Sequence, residues 1–134
     1  MTRLVAARTL LAVSALALAA GAASHALAYG AASAALRAGH VPPFFESAFA
    51  AGWLTDSGAT AFCGLLCALL AARPSLGASR LAWSAVLLPV LLGAILVAAM
   101  PRFFAGYVFL AAALMAGLGI LFSRPAAGAC SPAP

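Results

Sequence analysis

LAWSAVLLPVLLGAILVAAMPRFFAGYVFLAAALMAGLGILF, residues 81–122, decides the fold. It contains one charged residue, Arg102, and no carboxylate. Its two apolar runs, Leu81–Met100 and Phe103–Phe122, are each of about 20 residues, the length a helix needs to cross roughly 30 Å of hydrocarbon. Met100, Pro101 and Arg102 make the whole connection between them. A link that short makes the two helices antiparallel neighbours.

Upstream lie two further apolar runs, one from about residue 10 to 29 and one from about Trp53 to Ala72, with a start as early as Phe44 as the alternative. Of the 134 residues, 66% are hydrophobic and 7% charged, too few charges to clothe a water-soluble domain. The sequence therefore predicts an all-α integral membrane protein. Residues 1–124 form one antiparallel bundle of four transmembrane helices, at about 10–29, 48–72, 81–100 and 103–122. The tail 125–134, with Pro125, Pro132 and Pro134 among small residues, reads as a disordered cytoplasmic segment.

The seven basic residues are all arginine. Scattered as they are, they make no basic stripe with interleaved aromatics, so the net charge of +5 does not point to nucleic acid. They flank apolar runs instead. Arg3, Arg8, Arg73, Arg80 and Arg124 fall on one side of the predicted membrane, Arg37 and Arg102 on the other. The positive-inside rule then places both termini in the cytoplasm of a bacterial inner membrane. A rival reading begins from Arg3, Arg8 and LLAVSALALA, which look like a secretory signal ending in an A-x-A-type site after Ala28. The longer apolar run, continuing through AAGAAS, favours a first spanning helix.

Residues 30–47 read as the longest loop. Pro42-Pro43 cannot sit inside a helix but can open one, so Phe44, Phe45 and Phe49 fit a helical turn or two at headgroup level, either separate from the second helix or continuous with it. An interfacial anchor and a lid over an outward-facing cavity are the two roles for it.

Asp56 lies one turn inside Trp53, near the outer end of the second helix. A carboxylate there is costly to expose to lipid. Helical spacing aligns Trp53, Asp56, Thr60, Cys63 and Cys67 on one stripe, which should turn towards partner helices. The first helix carries a matching stripe of Ser14, Leu18, Gly21, His25 and Tyr29. His25 and Tyr107 sit at a depth similar to Asp56, with Arg102 just above. His25, Asp56, Tyr107, Thr60 and Arg102 are thus the candidate polar site, either a hydrogen-bonded clamp fixing helix registry or an outward-facing site for protons, an ion or a small substrate.

Cys63 and Cys67 are four residues apart, which suits a disulfide poorly, and they read as small buried hydrophobes. Cys130 belongs to the tail. The sequence shows no HExxH, CxxC, phosphate-binding glycine loop or catalytic triad. His40 is in the outer loop, badly placed to ligate haem with His25. No catalytic residue, cofactor or metal site is expected. Pro89, with Gly93 one turn on, suggests a kink in the third helix.

His25 late in the first helix, Pro42-Pro43 in the outer segment and Trp53 opening the second helix are features in which the chain resembles the small four-helix inner-membrane proteins common in bacteria. That resemblance implies the bundle and no activity. Small multidrug transporters share the size but carry a glutamate in the first helix, whereas Glu46 here is in the loop. Four-helix mercury carriers pair cysteines in the first helix, whereas Cys63 and Cys67 are in the second. The expected function is a non-enzymatic accessory or structural membrane subunit, in contact with lipid and with other membrane proteins or its own copies. The alternative is a small ion- or proton-coupled transporter using the outer polar site.

Overall fold

The computed structural model describes residues 2–124, so the tail expected to be disordered lies outside the described residues. It is all-helical, with no strand among the described residues: α1 (Arg3–Ala38), α2 (Pro43–Ala72), α3 (Ser84–Ala99) and α4 (Phe104–Ser123). One turn of 3₁₀ helix, Arg80–Trp83, runs into α3, giving a third span Arg80–Ala99. All four spans are long and apolar enough to cross a membrane.

Two boundaries differ from the sequence reading. The expected loop 30–47 is mostly helix, and the real connection is the short turn between Ala38 and Pro43. The apolar run does end near Tyr29, but the helix does not. GAASAALRA, residues 30–38, contains five alanines, the best helix formers, and no proline until Pro42. Apolar length measures the bilayer; backbone propensity measures the helix. The turn is closed by His40 in the left-handed region, at φ 54°. Pro43 then opens α2 at the first helical position, where its missing N–H costs nothing. At the other end of α1, Thr2 caps the helix by accepting from the Val5 N–H at 3.4 Å.

Sequence neighbours are not always spatial neighbours. α1 packs along both α2 and α4, α4 packs along α1 and α3, and α2 barely touches α3. Across the molecule the order is α2, α1, α4, α3. Small residues make the seams. A methyl on Gly64 of α2 would lie 3.3 Å from the Ala15 carbonyl oxygen of α1. One on Gly106 of α4 would lie 3.1 Å from the Val97 nitrogen and 3.2 Å from the Gly93 oxygen, both of α3. One on Gly119 of α4 would lie 3.2 Å from the Ala7 oxygen of α1. Backbones this close gain dispersion contacts along their length, the means by which helices associate without a hydrophobic driving force. Ser14 adds a polar tie, donating to the Ala112 carbonyl at 2.8 Å.

The Gly119–Ala7 contact levels α1 with α4 at the end where the arginines gather. From there α4 runs 15 residues back to Phe104 while α1 runs 31 to Ala38. The α1–α2 hairpin therefore overtops the α3–α4 hairpin by about 20 Å. At the arginine end, the Arg124 guanidinium lies 5.5 Å over the Trp83 ring.

Candidate functional site

Where the shorter hairpin stops, the longer one is left with an uncovered flank, and a cavity of about 680 Å³ opens there. α1 contributes Leu18, Gly21, Ser24, His25 and Ala28; α2 contributes Trp53, Asp56 and Thr60. Phe103, just before α4, and Phe104, Val108 and Phe109 of α4 close it, and Leu96 of α3 reaches its edge. The two stripes read from the sequence do turn inward: Ser14, Leu18, Thr60, Cys63 and Cys67 are buried. Their deeper halves are packed, and their shallower halves line the cavity.

The polar centre joins α1 to α2. His25 Nδ1 stands 3.5 Å from Asp56 Oδ2 and 2.9 Å from Ser57 Oγ. Its ring stacks flat on the Trp53 indole, centroids 4.0 Å apart and planes at 10°. Trp53 Nε1–H in turn donates to the His25 carbonyl oxygen at 2.7 Å. One tryptophan thus grips both the side chain and the backbone of the same histidine.

The network fixes where the imidazole proton sits. Ser57 Oγ donates its only hydrogen to the Trp53 carbonyl at 2.9 Å. It therefore accepts from His25, and the carboxylate beside it can only accept as well. With two acceptors facing it, Nδ1 carries the hydrogen. The neutral ring then keeps its lone pair on Nε2, free to accept a hydrogen bond or a second proton. About one turn deeper, Thr60 is 2% exposed and its hydroxyl has no partner among the described residues.

The cavity gathers His25, Asp56 and Thr60 but neither Tyr107 nor Arg102. The Tyr107 hydroxyl donates to the Pro101 carbonyl at 3.0 Å, and its side chain is half exposed. Depth alone put Tyr107 with the others, and depth carries no azimuth. On α4 it stands about 130° round from the centre of the arc holding Phe104, Ala105, Val108 and Phe109. Arg102 is exposed in the turn before α4 and does not line the cavity. Ser57 belongs to the polar centre although it is not on the stripe read from the sequence. Its position four residues after Trp53, where a serine hydroxyl reaches back to the i−4 carbonyl, was the available signal.

Cys63 and Cys67 are unpaired, and the Cys67 sulfur lies 3.7 Å from Ser14 Oγ. No group of three or more His, Cys, Asp or Glu side chains suited to a metal ion occurs among the described residues. A second, smaller hollow of about 220 Å³ sits near the hairpin tip, lined by Tyr29, Ser33, Arg37, Glu46 and Phe49 among others. Comparison with protein-family models, with curated proteins and with solved structures finds no match for this chain.

Proposed function

We propose that the chain is a small multi-pass protein of a bacterial inner membrane, both termini cytoplasmic, that works by holding an amphipathic molecule in the cavity between α1, α2 and α4. The observation that carries this reading is the cavity itself. Helix bundles close their interiors to the density of organic crystals unless something else fills the space. Here about 680 Å³ stays open beneath the end of the shorter hairpin. Its walls are chiefly alanine, leucine, valine and phenylalanine, and its polar groups converge at one place, the pattern of a ligand site. Large apolar side chains such as Leu16, Leu27, Leu87 and Leu114 are exposed on the outside of the bundle, as suits lipid contact. With apolar walls and a polar head site, the cavity suits a molecule entering from the lipid. The arginine split supports the orientation.

Native mass spectrometry of the protein released from mild detergent tests this. A retained amphiphile is expected on the wild-type chain and not on Ala105→Trp, whose indole would occupy the cavity. A wild-type protein that retains none, and takes up none when offered a total lipid extract, would overturn the reading.

A second reading, an accessory subunit that docks a partner, is favoured by the tip of the long hairpin. Phe44 and Phe45 there are 74% and 57% exposed, beyond the level at which α3 and α4 end. Pull-down of a defined membrane partner that is lost in Phe44→Ser/Phe45→Ser would favour it.

A further inference from the structure

The charge of the cavity narrows its occupant. Asp56 lines it with one-third of its side chain exposed, and the basic group set against that carboxylate is His25. No lysine exists in the chain, and no arginine lines the cavity among the described residues. Taking the neighbours element by element, α1 supplies His25 and α2 supplies Asp56, while the cavity-lining residues of α3 and α4 bear no ionisable group. Arg37 and Glu46 line the separate hollow nearer the tip. The site is thus neutral when His25 is protonated and carries one negative charge when it is not. Trp53, Phe103, Phe104 and Phe109 line the same cavity, and aromatic rings can attract a cation. A half-buried carboxylate without a fixed counter-ion favours a cation strongly where water is scarce.

Resting on the cavity reading above, we propose that the occupant is a lipophilic monocation, an apolar body bearing one positive nitrogen or phosphorus centre, and that it competes with a proton for the His25–Asp56 pair. When the cation enters, the imidazolium gives its extra proton to bulk water and the neutral ring remains. When the proton returns, the carboxylate is neutralised from within and the cation leaves. Charge balances in both directions: one positive charge enters for each that departs. Ser57 and Trp53 hold the ring in place through the exchange, because their contacts are to Nδ1–H, the ring face and the backbone, which both protonation states share. Thr60, two percent exposed and without a partner among the described residues, is the hydroxyl left over for a polar feature of the ligand.

Two ions of the same shape and opposite charge, tetraphenylphosphonium and tetraphenylborate, test the proposal on the full chain in a neutral maltoside detergent. Binding of the phosphonium, read by calorimetry, should strengthen at least about fivefold between about pH 5.5 and about pH 7.5, across the range where imidazoles change charge. Protons should be released on binding in weak buffer near the lower pH. The borate should bind at least about tenfold more weakly, as one carboxylate implies. Asp56→Asn should lose the preference for the phosphonium, and His25→Gln should bind it with a flattened pH dependence. The wild-type comparison stands even if either variant fails to fold. Equal binding of both ions, or phosphonium binding that ignores pH and releases no proton, would overturn the cation proposal and leave the apolar cavity intact. Binding of neither ion by a protein that still retains a lipid would overturn it too, and would point to a neutral occupant. Binding of neither, with no retained lipid, would sink both readings.

Discussion

Trp53 does two things to His25, and the two can be separated. Trp53→Phe keeps an aromatic face under the imidazole and removes the 2.7 Å hydrogen bond to the His25 carbonyl. A hydrogen bond of this kind is worth about 1 kcal/mol net, so a loss of about that size is expected in detergent melts. Trp53→Leu removes the stack as well and should cost more, by about another 1 kcal/mol. Thr60→Val makes the opposite case. The hydroxyl is buried without a partner among the described residues, so a methyl in its place should be neutral or stabilising by up to about 1 kcal/mol. A stability gain that comes with weaker ligand retention would mark Thr60 as held for binding; a clear loss of stability would mean that its hydroxyl has a partner in the membrane. Some of this was legible at the level of single residues. A carboxylate and a histidine at matching depth on adjacent inward stripes had few ways to avoid each other. The indole stack was not legible, because which face of a ring meets which is set by rotamers and by the angle between two helices, neither of which spacing contains.

Glycine-mediated contacts govern how the elements meet, and substitution should expose which glycines matter. Gly30 and Gly58 have nothing within 4 Å of where a methyl would stand, while Gly106 faces backbone at 3.1 and 3.2 Å. Gly30→Ala and Gly58→Ala should stabilise their helices by up to about 1 kcal/mol through propensity alone. Gly106→Ala should destabilise by about 1–3 kcal/mol, since neither α3 nor α4 can yield without moving whole turns. Thermal unfolding of the three variants side by side checks this; equal tolerance would mean that the α3–α4 seam is looser than drawn. The number of helices was legible in the sequence because each of the four apolar runs has the length of one helix long enough to cross a bilayer. The true extent of α1 was not, because helix continuation through residues 30–38 draws on alanine propensity and leaves no trace in hydropathy; the start of α2 at Pro43 matches the alternative in which the Phe44 segment runs on into the second helix.

The whole molecule is two hairpins of unequal height, joined through α1 and α4. The link between the halves, from Arg73 to Trp83, is mainly 3₁₀ turns at the arginine end, and α2 and α3 share little surface. A chain severed between Gly77 and Ala78 should therefore reassemble when both pieces are produced together, recovering most of the α1–α4 contact. Co-purification of the two pieces in detergent checks this, and failure to associate would mean that the link itself orders the halves. Orientation is checked by cysteine labelling: a single cysteine at His40, in a background with Cys63, Cys67 and Cys130 replaced, should react with a membrane-impermeant maleimide from outside, and one at the exposed Ser75 should not. The order of helices across the molecule was not legible, since the short third-to-fourth link enforces one pairing and leaves the other contacts open. The continuity of α1 has a mechanical meaning. From Arg3 to Ala38 it is one rod, with no proline or break between the end near the 3₁₀ turns at the arginine side and the end at the tip. His25 sits partway along it, roughly 20 Å below Ala38. A push on the tip, whether from a partner or from the outer milieu, would be carried down that rod as tilt, arriving at the imidazole as a change in its distance from a carboxylate on the neighbouring helix.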